Sequence, residues 1–259
     1  MKKILFSGIL AVLIFFGLWF IGISEGLLIE LIKNSLKDTP LSVEITDLRK
    51  GLFYNFKSQG VMLKRSDKTL LSIENVAGRI HPLSLFLMRI TLSFKGDMGG
   101  GRIHGRFDLL KGGRQANVHI DNANIEGIPL FATIGLRERG LLSGELKLKD
   151  DIGDLRFSIK EARFERGLFS GVMVPLDLFY TARGAMAIKG ETIRVVSFSM
   201  EGKGVYARIK GNITGNMLDL TIEIMRDSSF EGSSLFSTIE SYKVSPGYYV
   251  IPIKSSLSF

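Results

Sequence analysis

From Leu41 onward, apolar and polar residues alternate with a period of two. Leu41, Val43 and Ile45 interleave with Ser42, Glu44 and Thr46, and Ile103, Gly105, Phe107 and Leu109 with Arg102, His104, Arg106 and Asp108. Leu155, Phe157 and Ile159 do the same with Arg156 and Ser158, and Val205, Ala207 and Ile209 with Tyr206, Arg208 and Lys210. The longest set is Leu218, Leu220, Ile222 and Ile224 against Asp219, Thr221 and Glu223. Successive side chains on a strand point to opposite faces, so each stretch predicts a strand with one apolar and one wet face. Turn signals separate them at Gly99-Gly100-Gly101, Gly112-Gly113, Asp150-Asp151, Gly190, Gly211-Asn212 and Gly215-Asn216. The 29 glycines among 259 residues exceed the usual ~7% and suit many tight turns.

Two stretches break the alternation. Pro82-Leu83-Ser84-Leu85-Phe86-Leu87-Met88 is uniformly apolar and reads as a short helix or a buried crossing, with Pro82 suited to a first helical position. Ser228 to Ser241 is polar and reads as a short helix over a sheet edge. The chain then closes with a strand from Gly247 toward Phe259. About a dozen strands, at ~4.8 Å each, would extend ~60 Å as an open sheet, and sheets of that size curl. With one long apolar face and no second layer, the sheet must roll into a groove, a barrel or a sandwich.

Ahead of the alternation the pattern is different. Ile4 to Ile23 is a run of 20 uncharged residues behind Lys2 and Lys3. As a helix at ~1.5 Å per residue it reaches ~30 Å, the thickness of a bilayer's hydrocarbon core. Its anchor residues are Ile4, Leu5, Phe6, Leu10, Val12, Leu13, Ile14, Phe15, Phe16, Leu18, Trp19 and Phe20. A cleaved leader has a shorter apolar core, and the best cleavage position here, after Ser24, is a poor one, so a retained anchor is expected. The positive-inside bias of Lys2 and Lys3 places the N-terminus in the cytoplasm and the body outside it, in a bacterial periplasm. Trp19 and Phe20 fall near the outer end, where aromatics favour the bilayer interface.

Behind the run, Leu27, Leu28, Leu31, Ile32 and Leu36 recur at helical spacing opposite Glu30, Lys33, Asn34 and Lys37, up to Pro40. This amphipathic helix is free to lie on the membrane, to plug the end of the sheet, or to continue the anchor. The expected organisation is an anchor over 1–24, a juxtamembrane helix over 25–40 and one β domain over 41–259. The fold class is mainly β: a transmembrane helix, then a long curled antiparallel sheet with one or two short helices.

Of the net charge of +8, +6 remains on the body beyond Lys2 and Lys3, spread without blocks. It fits proximity to anionic headgroups or an ordinary basic soluble surface, and does not suggest nucleic acid. There are no cysteines, which is compatible with export. The three histidines, His81, His104 and His119, stand in no metal-ligand spacing. No Gly-x-Ser-x-Gly string is present, and Gly202 to Ala207, which formally matches a dinucleotide fingerprint, is followed by strand alternation rather than a helix. No catalytic group, cofactor or metal is expected. An apolar groove is the candidate site, lined by Ile103, Phe107, Leu155, Phe157, Ile159, Val205, Ile209, Leu218, Leu220, Ile222 and Ile224.

Several strings resemble AsmA-like envelope proteins: Leu41 to Ile45 leading to Asp47 to Tyr54, then Leu71 to Val76 with Pro82 to Phe86, and Gly101 to Phe107. The closing string Gly247 to Leu257 resembles that of the protein N family of type II secretion systems, small relatives with the same anchored plan. The resemblance implies an AsmA-like groove or half-barrel hung from the bacterial inner membrane. It also implies an accessory, non-catalytic part in type II secretion, with other components of that machinery as partners. The alternative is a lipid-binding groove taking part in phospholipid transport or outer-membrane maintenance. A third reading, an outer-membrane β-barrel, requires cleavage near Ser24 and longer strands.

Overall fold

The computed structural model describes residues 17, 19, 24–37, 39–86, 89–108, 115–133, 139–169, 171–228, 230 and 233–256. Strands β1 (Leu41–Thr46), β2 (Arg49–Lys50), β3 (Asn55–Arg65), β4 (Lys68–Ile80), β5 (Thr91–Met98), β6 (Gly101–Asp108), β7 (Gln115–Asn124), β8 (Leu141–Lys149) and β9 (Ile152–Lys160) come first. A small separate hairpin, β10 (Gly167–Phe169) and β11 (Val172–Val174), interrupts them. Then follow β12 (Phe179–Lys189), β13 (Thr192–Gly202), β14 (Val205–Thr214), β15 (Met217–Arg226), β16 (Lys243–Ser245) and β17 (Tyr248–Ser256).

All but the small hairpin belong to one 15-stranded antiparallel sheet, ordered β1-β3-β4-β5-β6-β7-β8-β9-β12-β13-β14-β15-β17-β16 with β2 beside β3. The end strands β1 and β16 are not paired with each other, so the sheet is open. The mainly β, curled antiparallel expectation holds, with more strands than the dozen foreseen. The extra ones, such as β2 and β16, are two or three residues long, too short to display a period.

The sheet turns back on itself. Adjacent strands rotate by ~20–25°, so strands nine or ten steps apart in the order have turned through about half a revolution. That twist brings the tip of the β3–β4 hairpin to the β14–β15 turn, where the Arg65 guanidinium donates to Asn216 Oδ1 at 2.8 Å. Bulges sharpen the bend. The registers slip at 74–77 in β4 and at 120–123 in β7, and Asn75 and Asn122 take positive φ there.

Among the described residues three α-helices accompany the sheet: α1 (Glu25–Ser35), α2 (Pro82–Phe86) and α3 (Pro129–Thr133). Helix α1 is not a continuation of the preceding run. Ser24 has extended backbone and its hydroxyl accepts from the Leu27 N–H at 3.1 Å, so a new helix starts here. Leu28 then buries against Leu48, Tyr54, Phe56, Ile80 and Leu92, which makes α1 a plug on the end of the sheet. Of the two readings of the stretch at Pro82, the short helix is the one found, over Pro82–Phe86. Ser233–Tyr242 is a 3-10 helix that packs against β17, next to the end of the sheet, and places Phe236 and Ile239, fully buried, in the main core.

Among the described residues no helix is long and apolar enough to cross a membrane. Of the anchor residues named above only Trp19 is described; Ile4, Leu5, Phe6, Leu10, Val12, Leu13, Ile14, Phe15, Phe16, Leu18 and Phe20 lie outside the described residues.

Candidate functional site: two apolar rows on the concave face

The concave face of the sheet carries two cores. The larger one sits where connections between strands are long. Ile125 and Ile128 between β7 and β8, Ala162, Phe164, Val174 and Leu176 between β9 and β12, and Phe236 and Ile239 between β15 and β17 all fold back onto it. They cover Ile103, Leu142, Ile159, Ala182, Met200, Ala207, Ile222 and Ile224. From the far side of the rolled sheet, Leu71 and Ile73 of β4 pack against the same cluster, as do Leu130 and Phe131 of α3. The smaller core holds Trp19, Leu28, Leu48, Tyr54, Phe56, Ile80 and Leu92.

At the opposite end of the strands the second half of the sheet has only two-residue turns, 150–151, 190–191 and 215–216, with positive φ at Asp150, Gly190 and Gly215. Such turns have no length to spare for covering a face. What remains there is an apolar surface organised by register. Starting in the smaller core, Ile80 pairs with Leu92, Leu92 with Phe107, Phe107 with Ala116 and Ala116 with Leu148. The row continues through Gly153, Ile188, Ile193 and Ile213 to Leu218. A second row beside it runs from Phe56 through Gly78, Phe94, Gly105, Val118, Leu146, Leu155 and Met186 to Val195. It then passes through Gly211 and Leu220 to Ile253. No polar side chain interrupts either row. At ~4.8 Å per strand, the ten strands of the first row measure ~43 Å.

In mid-row the side chains are half-buried: Leu146, Leu148, Leu155, Met186, Ile188, Ile193, Ile213 and Leu218. Among the described residues they belong to neither core. One position along each strand the face is wet. The outward row parallel to the first is Arg79, Ser93, Arg106, Asn117, Lys147, Asp154, Ala187, Arg194, Asn212 and Asp219.

Glycines set the closeness of the curl on the inner side. A Cβ on Gly78 would meet Phe56 Cζ at 2.0 Å, one on Gly105 would meet Phe94 Cε1 at 2.6 Å, and one on Gly184 would meet Phe157 Cε1 at 2.4 Å. Each aromatic ring therefore lies flat over a cross-strand glycine and keeps the lining low and smooth.

All eleven groove residues foreseen in the sequence project onto this one face. Ile103, Ile159, Val205, Ile209, Ile222 and Ile224 are buried in the larger core. Phe107, Leu155, Phe157, Leu218 and Leu220 are half-buried. The alternation found both groups but did not separate them. It also missed Leu146, Leu148, Met186, Ile188 and Ile193. A usable signal was present: in Leu142-Ser143-Gly144-Glu145-Leu146-Lys147-Leu148 the glycine occupies an inward position and hides the period.

Trp19 departs from its expected seat in a lipid interface. It is fully buried in the protein, its indole N–H donating to the Gly51 carbonyl at 2.9 Å and its ring 4.7 Å from that of Tyr54. The Lys50 ammonium lies 5.5 Å over the ring and donates to the Trp19 carbonyl at 3.2 Å. The physical reason is that Gly51 leaves an acceptor, and Tyr54 an apolar wall, at the end of the sheet that the indole satisfies better than water does.

Polar chemistry gathers elsewhere. A cavity of about 420 Å³ is lined by Ser72, Glu74, Asp97, Gly99, Gly100, Asn124, Glu126 and Gly127, with Asn75 donating to Asp97 at 2.9 Å. Among the described residues no cluster of His, Cys, Asp and Glu has metal-holding geometry. His104 and His119 stack at 5.0 Å on the wet face, beside Asp121 and Glu145 respectively. The 202–207 string is the β13–β14 hairpin, with Gly204 at positive φ beside Phe230, and so offers no helix N-terminus to a phosphate.

The fold and the lining together define a class: an open antiparallel sheet rolled around an apolar concave face, cored at one end and half-exposed at the other. No family model, curated protein or solved structure matches the chain.

Proposed function

We propose that this is a membrane-anchored, non-catalytic carrier of AsmA-like type, which holds the acyl chain of a phospholipid along its concave face. The observation that carries the reading is the pair of unbroken apolar rows, half-exposed in mid-course and long enough, at ~43 Å, for an extended acyl chain with room to move along. The mid-row stretch from Leu148 to Leu218, which stays out of both cores, needs an occupant that is itself apolar. The uncharged run Ile4 to Ile23 supplies the tether, with the body in the periplasm and the membrane as lipid source.

The test uses the complete chain in bacterial cells carrying a photoreactive side chain at one position at a time. Leu148 and Ile188 face inward, and their neighbours Lys147 and Ala187 face outward. Phospholipid adducts at the first pair and not at the second are the expected result. Equal labelling at all four, or none, rejects the carrier.

A second reading, an accessory part of type II secretion machinery, is favoured by the resemblance of Gly247 to Leu257 to protein N. It predicts that outward positions such as Ala187 crosslink to other secretion components and that deletion of the chain reduces secretion. If neither happens, that reading fails.

A further inference from the structure

The molecule's most exposed large apolar side chains include three at one end of the sheet. Leu52 is 63% exposed, Phe53 is 55% exposed and Leu83 is 78% exposed. The first two top the turn between β2 and β3, where positive φ at Phe53 and Tyr54 holds them outward. Leu83 is the second residue of α2, three residues beyond Ile80. The Ile80 N–H donates to the Tyr54 carbonyl at 2.9 Å, so the two protrusions stem from neighbouring backbone.

Their position relative to the apolar run is fixed by contacts. Trp19 lies four residues inside the end of Ile4 to Ile23, ~6 Å short of that end if the run is helical. Its indole is bonded to Gly51, the residue before Leu52. Glu25 Oε1, just past the run, accepts from the Lys50 N–H at 2.9 Å. A body held to the run at Trp19 and Glu25 cannot stand off from a membrane that the run crosses. The turn at 51–53 must then lie at the depth of the headgroup layer. Exposed Arg49, Lys57, Arg79 and Arg89 surround the same end and outnumber its acids, Asp47 paired to Arg49, Glu25 beside it and Asp108 near His81. Cations at this height are attracted to anionic headgroups.

We infer that Leu52, Phe53 and Leu83 insert into the interfacial layer of the bilayer as a second membrane contact, fixing the end of the sheet where the apolar rows begin. The inference rests on the anchored reading above. Its consequence is that the smaller core, which closes the first row at Ile80 and Leu92, sits at the membrane surface, so that the half-buried members of the row begin a few strands from the lipid.

The chain has no cysteine, so single-cysteine variants of the complete chain report one site each. Leu52→Cys, Leu83→Cys and, at the distant β8–β9 and β14–β15 turns, Ile152→Cys and Met217→Cys are labelled with an environment-sensitive fluorophore. They are then reconstituted into vesicles of phosphatidylcholine and phosphatidylglycerol. The expected result is blue-shifted emission, quenched several-fold by nitroxide-bearing lipid, at 52 and 83, with water-like emission at 152 and 217. If the chain floats with the vesicles but 52 and 83 stay water-like, the inference is overturned and the anchor stands. Failure to float overturns both. All four positions are exposed, so labelling leaves the cores intact, and an unchanged thermal transition verifies it.

Discussion

On β15, Ile222 and Ile224 face inward, pack into the core that receives Phe236 and Ile239, and are closed to solvent. Leu218, on the same face of the same strand, is half-buried and lies outside both cores. The side chains are interchangeable; what differs is the connection at each end. Where the chain takes long excursions between strands, it returns hydrophobic groups to the concave face and makes a core. Where every turn at one end is two residues long, as at 150–151, 190–191 and 215–216, nothing returns and the face is left open. The two-residue turns 99–100 and 203–204 lie at the other end, covered by neighbouring long connections. Core and groove are thus two outcomes of one patterned sheet, separated by loop length.

The comparison breaks most easily at the plug. Phe236 is fully buried, edge-on to Phe230 and 5.2 Å from the ring of Tyr249. Phe236→Ala should cost about 3–5 kcal/mol through lost transfer energy and the cavity left behind, read as the shift in denaturant midpoint. A loss below about 1 kcal/mol would mean that the 3-10 helix is an ornament on an already complete core.

Next comes the same charge placed at the two ends. Ile222→Asp buries an unpaired carboxylate and should destabilise by several kcal/mol. Ile188→Asp meets water and should cost about 1–2 kcal/mol or less, while abolishing the lipid adduct at Leu148. If the Ile188 variant unfolds like the Ile222 variant, the strip is core and the distinction collapses. Circular dichroism and crosslinking on the same preparations separate these outcomes.

How much of this was legible beforehand depended on local period. The strands of Leu155, Val205 and Leu218 announced themselves because three or four successive inward positions in each carry an apolar side chain. β8 and β12 did not, since Gly144 and Gly184 stand at inward positions and a glycine scores as neither face. Alternation gives the face of a side chain, but whether that face is covered depends on segments distant in sequence. Nothing around Ser233 or Pro129 says which strands they will lie against. The contact between Arg65 and Asn216, 151 residues apart, follows from accumulated twist, which no local string encodes. The burial of Trp19 was hidden for the same reason: its partners are Gly51 and Tyr54, more than thirty residues on.

A smaller effect tests the glycine lining. Gly184→Ala puts a methyl into the Phe157 ring and should cost about 1–3 kcal/mol by overpacking. Gly60→Ala, whose Cβ would come no nearer than 3.8 Å to the Ile73 carbonyl, should change stability by about 0.5 kcal/mol or less. Equal effects would show that the rings are free to tilt away and that the smooth lining is incidental.

The smallest effect concerns the end of the row at the smaller core. His81 is half-buried, with Nε2 2.6 Å from Ser93 Oγ. Burial, then the nearby Arg106 and Arg79, depress its pKa below the ordinary value, with Asp108 opposing. The folded protein therefore prefers the neutral ring, and the unfolded chain binds the proton more readily. Stability from this group is complete above about pH 6.5 and is lost as pH falls below that toward the depressed folded value, where the loss levels off. The carboxylates of Glu44, Glu145 and Glu240, held below the ordinary carboxylate range by hydrogen bonds from lysine partners, lose their contribution only at lower pH, so they do not mask this window. His81→Gln keeps a hydrogen-bonding group toward Ser93 without a titration. Denaturant midpoints at about pH 7.5 and about pH 5.5 should fall together less in that variant than in the parent. An identical slope in both would place the ring in free water, and would open to solvent the end of the sheet that α1 and Trp19 close.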